Sequence, residues 1–317
     1  MNYAEYGKGN SNVIILLHGG GLSWWNYKEI AEMLQTNYHI IIPILDGHAG
    51  SDKRFTTIEN NALEIIEFIN DKLDGSVLLI GGLSLGGQIL LEILSHRKDI
   101  CKYAIVESAL VIPSKFTYFM IKPVFGCCYG LIKYKWFSKL QFKSLRIKQH
   151  LFDNYYKDTC AITKGDMIAF LQENSLYSLK DGIEESEAIV HIFVGEKENH
   201  SMKKSAELIH KKLQNSSIQV LPNMYHGEFS INHADDYVRR LLEIIEQREI
   251  LIYWASLNRT FKLNTSRLPA APPSRKSWNR FPALFIPGRR EKGGRYLPCP
   301  HFDMRIVTPK SCRRPTP

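Results

Sequence analysis

No run of apolar residues in this sequence approaches the roughly 20 that a helix needs to cross a bilayer, which excludes a spanning helix. The N-terminus passes from Met1 to Gly7 and on to Val13–Leu17 without the basic stretch and clean apolar core of a secretory signal, so a cytoplasmic protein is expected. Cysteine is sparse. The six (101, 127, 128, 160, 299 and 312) are scattered, and no pair has the spacing of a zinc site. Adjacent Cys127 and Cys128 read as small apolar residues rather than a redox pair, and reduced thiols, no metal and no cofactor are expected. There is no internal repeat. Proline is scarce up to residue 249 and acid is scarce after it. Ten of the 14 prolines lie in 250–317, where 14 Lys+Arg face only 2 Asp+Glu.

The net charge of +9 therefore belongs to the tail. Residues 1–249 hold 27 Lys+Arg against 30 Asp+Glu, which gives that body no electrostatic reason to bind nucleic acid. The basic residues also change type, from Lys-rich in the body to Arg-rich in the tail. Segments such as 268–275 and 296–300 carry too many prolines for a helix or central strand. A basic arm for nucleic acid or anionic lipid is one reading of 250–317. An appended, disordered segment with no catalytic role is the expectation adopted.

What is present over 1–249 is an alternation of β-branched runs and amphipathic stretches, the pattern of a parallel sheet flanked by helices. Strands are predicted at Val13–Leu17, His39–Pro43, Val77–Gly81, Tyr103–Glu107, Val190–Val194 and Ile218–Leu221, as near-continuous apolar runs buried on both faces. Helices are predicted at Tyr27–Gln35, Thr57–Leu73, Gln88–Ser95, Lys203–Lys212 and Ala234–Arg248. Residues 108–188 break the alternation. They are rich in aromatics and lysine, and a structureless loop of that length is improbable in a compact domain, so a helical cap over the active site is expected.

Gly82-Leu83-Ser84-Leu85-Gly86 lies between a predicted strand and a predicted helix. A nucleophile there must adopt a strained turn, and only residues without bulk fit two positions to either side. Ser84 is thus the candidate nucleophile, with the helix N-terminus behind it favouring developing negative charge. His18-Gly19-Gly20-Gly21 follows the first predicted strand. With the amide of Leu85, that of Gly20 or Gly21 would bind an oxyanion, whereas the Lys-Ser/Thr ending of a phosphate-binding loop is missing. His18 itself reads as structural.

These two motifs, with Asp46-Gly47-His48-Ala49-Gly50-Ser51 between them, resemble the successive motifs of the α/β-hydrolase superfamily, in its branch of single-domain esterases with a helical cap. The resemblance covers about residues 3–248 and none of the tail. It implies an α/β-hydrolase fold with a mostly parallel sheet of eight strands, the first missing or very short here, and a triad in the order Ser, acid, His. The acid then falls in Gly195-Glu196-Lys197-Glu198-Asn199. Glu198 occupies the position where similar sequences usually carry Asp; Glu196 competes, and Glu107 is more remote. His226 is the implied base, ahead of His233 and His200. The implied activity is hydrolysis of a small carboxylester through an acyl-enzyme. Hydrolysis of a thioester, lactone or carbon–carbon bond is the alternative, as is a ligand receptor on the same fold.

Overall fold

The structure, a computed structural model, describes residues 1–246. The tail expected over 250–317 lies outside the described residues. Seven strands form one sheet in the order β1-β3-β2-β4-β5-β6-β7: β1 (Tyr3–Tyr6), β2 (Val13–Leu17), β3 (His39–Pro43), β4 (Val77–Leu83), β5 (Cys101–Glu107), β6 (Ile189–Gly195) and β7 (Ser216–Leu221). All neighbours run parallel except β1, which pairs antiparallel with β3 from Tyr3↔Pro43 to Tyr6↔Ile40. The implied count of eight is thus seven among the described residues. The sheet opens with a four-residue edge strand that the apolar pattern does not announce, because Glu5 interrupts it and none of its residues is fully buried.

Side chains alternate across the sheet and feed two cores. Ile15, Leu17, Ile41, Ile80, Val106 and Ile192 meet α2 (Ile58–Lys72), α3 (Leu85–His96) and α8 (His200–Lys212). Ile14, Leu16, Ile40, Ile42, Leu79, Ile105 and Phe193 meet α1 (Lys28–Leu34) and the last described helix, α10 (residues 234–246). Strands buried on both sides must be apolar at every position, which is why they read as unbroken runs. Each buried Leu or Ile contributes roughly 1.5–3 kcal/mol.

Between β5 and β6 the chain forms α4 (Lys115–Cys128), α5 (Lys135–Ser144), α6 (Phe152–Ala161) and α7 (Lys164–Leu176), with short 3-10 turns and no strand. The Thr163 side chain caps α7 by accepting the Asp166 amide. This insertion is tied to α3 through Gln88. Its Nε2 donates to the carbonyls of Leu110 (2.7 Å) and Asn174 (3.0 Å), and its Oε1 accepts from Asn174 Nδ2 (2.9 Å). Asp166 of α7 accepts from Arg54 Nε at 2.9 Å and the Phe55 amide at 3.1 Å. After β7 comes α9 (Glu228–Asn232).

Candidate active site

Ser84 stands between β4 and α3 with φ 53° and ψ −110°, a region that costs a non-glycine residue about 1–3 kcal/mol. The Ser84 amide donates to the Glu107 carbonyl at 2.8 Å, which fixes the turn against β5. The flanking glycines are required by close approach. A Cβ on Gly82 would lie 2.3 Å from the Gly86 carbonyl oxygen, and one on Gly86 would lie 2.2 Å from that of Leu17.

His226 follows β7 and precedes the left-handed Gly227 that starts α9. Its Nε2 is 3.1 Å from Ser84 Oγ, and its Nδ1 is 2.9 Å from Glu198 Oε2. With Nδ1–H donating to the carboxylate, Nε2 is left to accept the serine proton. The His226 side chain is 46% exposed, while that of Glu198 is 2% exposed, so the constellation runs from solvent into the protein.

Glu198 lies in the loop after β6. Burial works against its ionisation, but hydrogen bonds from His226, from the Gly195 amide (2.8 Å) and from Ser108 Oγ (2.8 Å) together hold its carboxyl below the usual range. The loops bearing Glu198 and His226 are laced together. Lys197 N–H donates to the Met224 carbonyl (2.9 Å), Glu196 N–H to that of Leu221 (2.8 Å), and Asn223 N–H to Glu196 Oε2 (2.7 Å). A Cβ on Gly195 would lie 2.3 Å from the Met224 oxygen, so glycine is what lets the two loops touch.

The competing acids point elsewhere. Glu196 is occupied by Asn223. Glu107 accepts from the Ser230 amide at 3.3 Å, and burial pushes its carboxyl up to about 7, partly offset by Ser230. His233 is 4.0 Å from Asp236, and His200 opens α8.

The two glycine candidates for the oxyanion site differ. The Gly21 amide donates to His48 Nε2 at 3.0 Å, so it is committed within the protein. Gly20 is exposed, and its amide has no acceptor among the described residues. Leu85 is the first residue of α3, so its amide lies outside the helical ladder. His48 donates through Nδ1 to the Asp46 carbonyl (3.0 Å) and stacks on Phe170 of α7 with ring centroids 4.8 Å apart. His18 donates through Nδ1 to the Gly19 carbonyl (2.9 Å) and accepts the Leu45 amide (3.2 Å). Each ring thus has one donor and one acceptor role and stays neutral. Burial lowers His48 to about 4 and His18 to about 3. Phe170 also packs on Gly20, where a Cβ would come within 3.2 Å of its ring. The insertion therefore adjoins the glycine loop.

Two supporting residues escaped the sequence reading. Ser108, at φ 55° directly after β5, links Glu198 to the Gly227 amide (3.5 Å). His48 was seen only as part of a motif. Away from the site, Glu59, Glu92 and His96 bring their ligand atoms within 4.8 Å of one another, an ion-pair cluster joining α2 and α3. A cavity of about 810 Å³ beside Asp46, Lys53 and α2 includes none of Ser84, Glu198 and His226.

Comparison with known proteins places residues 12–122 in agreement with the profile of a family described as alpha/beta hydrolase fold. Lipase 1 of Psychrobacter immobilis is 33% identical over 113 residues, which are 34% of this chain and 35% of that protein, so the chain spans little more than a third of that lipase's length. Among solved structures, an esterase from Thermogutta terrifontis superposes with a TM-score of 0.64 at 16% identity, covering 78% of this chain and 93% of the other. The enol-lactonase from Burkholderia xenovorans LB400 superposes with a TM-score of 0.66 at 12% identity, covering 77% and 96%.

Proposed function

We propose that this chain, which has the α/β-hydrolase fold, is a serine hydrolase acting on a small carboxylester, with Ser84 as nucleophile, His226 as base and Glu198 as the acid. The observation that carries this reading is the continuous chain of two hydrogen bonds, Ser84 Oγ to His226 Nε2 at 3.1 Å and His226 Nδ1 to Glu198 Oε2 at 2.9 Å.

Ser84 Oγ forms a bond to the acyl carbon while its proton moves to His226 Nε2. The carbonyl oxygen becomes an oxyanion, held by the amides of Leu85 and Gly20. Loss of one such donor typically costs about 3 kcal/mol of barrier. Glu198 keeps the imidazole in the tautomer that accepts at Nε2 and balances its charge. The tetrahedral intermediate collapses, the C–O bond to the alcohol breaks, and the alcohol leaves with the Nε2 proton. Water then enters, loses its proton to His226, and releases the acid from Ser84 by the same route. Apart from that water, each step draws on groups of this chain. The Lipase 1 and esterase relatives support an ester as first substrate class; the enol-lactonase neighbour adds cyclic esters to the panel.

The test is covalent labelling with a fluorophosphonate, followed by short-chain p-nitrophenyl esters, lactones and thioesters. Wild type should label and turn over an ester. Ser84→Ala should do neither, and His226→Ala should label slowly. Labelling that survives Ser84→Ala would refute the assignment.

A further inference from the structure

The α4–α5 region exposes large apolar side chains. Of the 14 residues of α4, only Ile121 is buried, although the helix contains Phe116, Tyr118, Phe119, Met120, Val124 and Phe125. Most of its apolar side chains therefore face outward, beside Lys115 and Lys122, where an amphipathic helix would normally turn them to the core. Phe116 is 78% exposed and Phe119 69%, and with Met120 and Val124 they follow the i, i+3, i+4, i+8 spacing of one helical face. Helix α5 continues the theme with Trp136 (63% exposed) and Leu140 (62%), one turn apart. Isolated exposed apolar residues need no explanation, but a group on successive helices marks an interaction surface.

The charge around this surface says what it meets. From Ser108 to Phe152 there are seven lysines and Arg146, and no Asp or Glu. Lys115, Lys122, Lys133, Lys139 and Lys143 have no acidic partner among the described residues, whereas Lys135 reaches Asp153 at 3.6 Å and Lys148 reaches Glu29 at 2.7 Å. A two-fold dimer through this face would set like charge against like. The segment 250–317 carries the same sign of charge, 14 Lys+Arg against 2 Asp+Glu. Phe, Trp, Met and Leu interleaved with lysines on surface helices suit the boundary between acyl chains and anionic headgroups.

We propose that the α4–α5 face docks this chain on an anionic phospholipid bilayer, with Phe116, Phe119, Trp136 and Leu140 entering the acyl boundary and the lysines meeting headgroup phosphates. The helices lie on the membrane and do not cross it. This inference is independent of the reaction proposed for Ser84.

The test uses the full chain and sedimentation with vesicles of phosphatidylcholine alone or mixed with phosphatidylglycerol. Wild type should bind the mixed vesicles, bind pure phosphatidylcholine weakly, and lose affinity as salt rises. Lys122→Glu/Lys139→Glu/Lys143→Glu should weaken binding at least roughly a hundredfold, from about fivefold for each basic side chain. Phe116→Ser/Phe119→Ser/Trp136→Ser/Leu140→Ser should abolish pelleting while near-UV circular dichroism is kept. Vesicles with brominated acyl chains should quench wild-type emission more than that of Trp136→Phe, a readout that stands even if the quadruple variant fails to fold. Binding that survives both variant sets would assign it to the basic tail and overturn the proposal. Equal binding to both vesicle types, unquenched Trp136, or a self-associated dimer without vesicle binding would overturn it as well.

Discussion

Ser108 offers a way to separate holding the fold from holding the site. Its hydroxyl donates to Glu198 Oε1 at 2.8 Å, yet its backbone sits at φ 55°. A hydrogen bond to a charged, buried carboxylate contributes about 1.5–3 kcal/mol, and a non-glycine residue in the left-handed region costs roughly 1 kcal/mol more than glycine. Ser108→Ala removes the bond and keeps the backbone penalty, so unfolding free energy should fall by about 2 kcal/mol. Ser108→Gly removes both and should recover about 1 kcal/mol of that loss. Activity should not follow stability. In both variants Glu198 keeps only the Gly195 amide and His226, so the imidazole is held less firmly, and kcat/KM should fall about tenfold, equivalent to ~1.4 kcal/mol. The assay pairs urea unfolding at neutral pH with ester turnover and the rate of fluorophosphonate labelling. Restored activity in Ser108→Gly, or unchanged turnover in Ser108→Ala, would refute the idea that this hydroxyl positions the acid.

Stability should fall on acidification, because His48 and His18 take up protons below 6.5 when unfolded but only near 4 and 3 when folded; His48 alone should account for about 3 kcal/mol between pH 6.5 and 4, and urea unfolding of His48→Gln at pH 7 and pH 5 should show a flatter slope than wild type. Glu107 has the opposite sign: its unfolded carboxyl ionises near 4.5 while the folded one keeps its proton up to about 7, so its contribution is full below 4.5 and is lost as pH rises through 7, and Glu107→Gln should lose less stability than wild type between pH 6 and pH 8. Gly86→Ala should prevent folding or lower stability by more than about 3 kcal/mol, since its Cβ meets Leu17 backbone at 2.2 Å, whereas Gly126→Ala in α4, with nothing within 4 Å, should leave the thermal midpoint unchanged or slightly raised.

The sheet was legible because its strands are apolar on both faces, and six of its strands begin or end within a few residues of the apolar runs. Strand β1 was not, since Tyr3–Tyr6 is short and gains its hydrogen bonds from β3, from Tyr3↔Pro43 to Tyr6↔Ile40, well beyond the reach of local pattern reading. Ser84 declares itself through local strain, which demands glycines nearby. Ser108 does not, because its partner Glu198 is 90 residues away and nothing in its neighbours encodes that contact. Gly20 and Gly21 are alike in sequence. They differ in conformation: Gly21 has φ 76° and gives its amide to His48, 27 residues downstream. Helix α4 carries apolar residues well beyond one face and holds Pro123 inside it, so its limits could not be drawn from the sequence.

The lacing of the β6 and β7 loops bears on how such a chain can diversify. Because Gly195 presses against Met224 and three hydrogen bonds join the loops, a residue inserted in one would drag Glu198 and His226 out of register with each other. Changes of length on that side must therefore arrive in matched pairs. The stretch between β5 and β6 is held differently, by contacts spread along its length: Gln88, Asp166 and Phe170, then Asp158 with Trp25, Lys148 and His150 with Glu29, and Arg146 with Asn232.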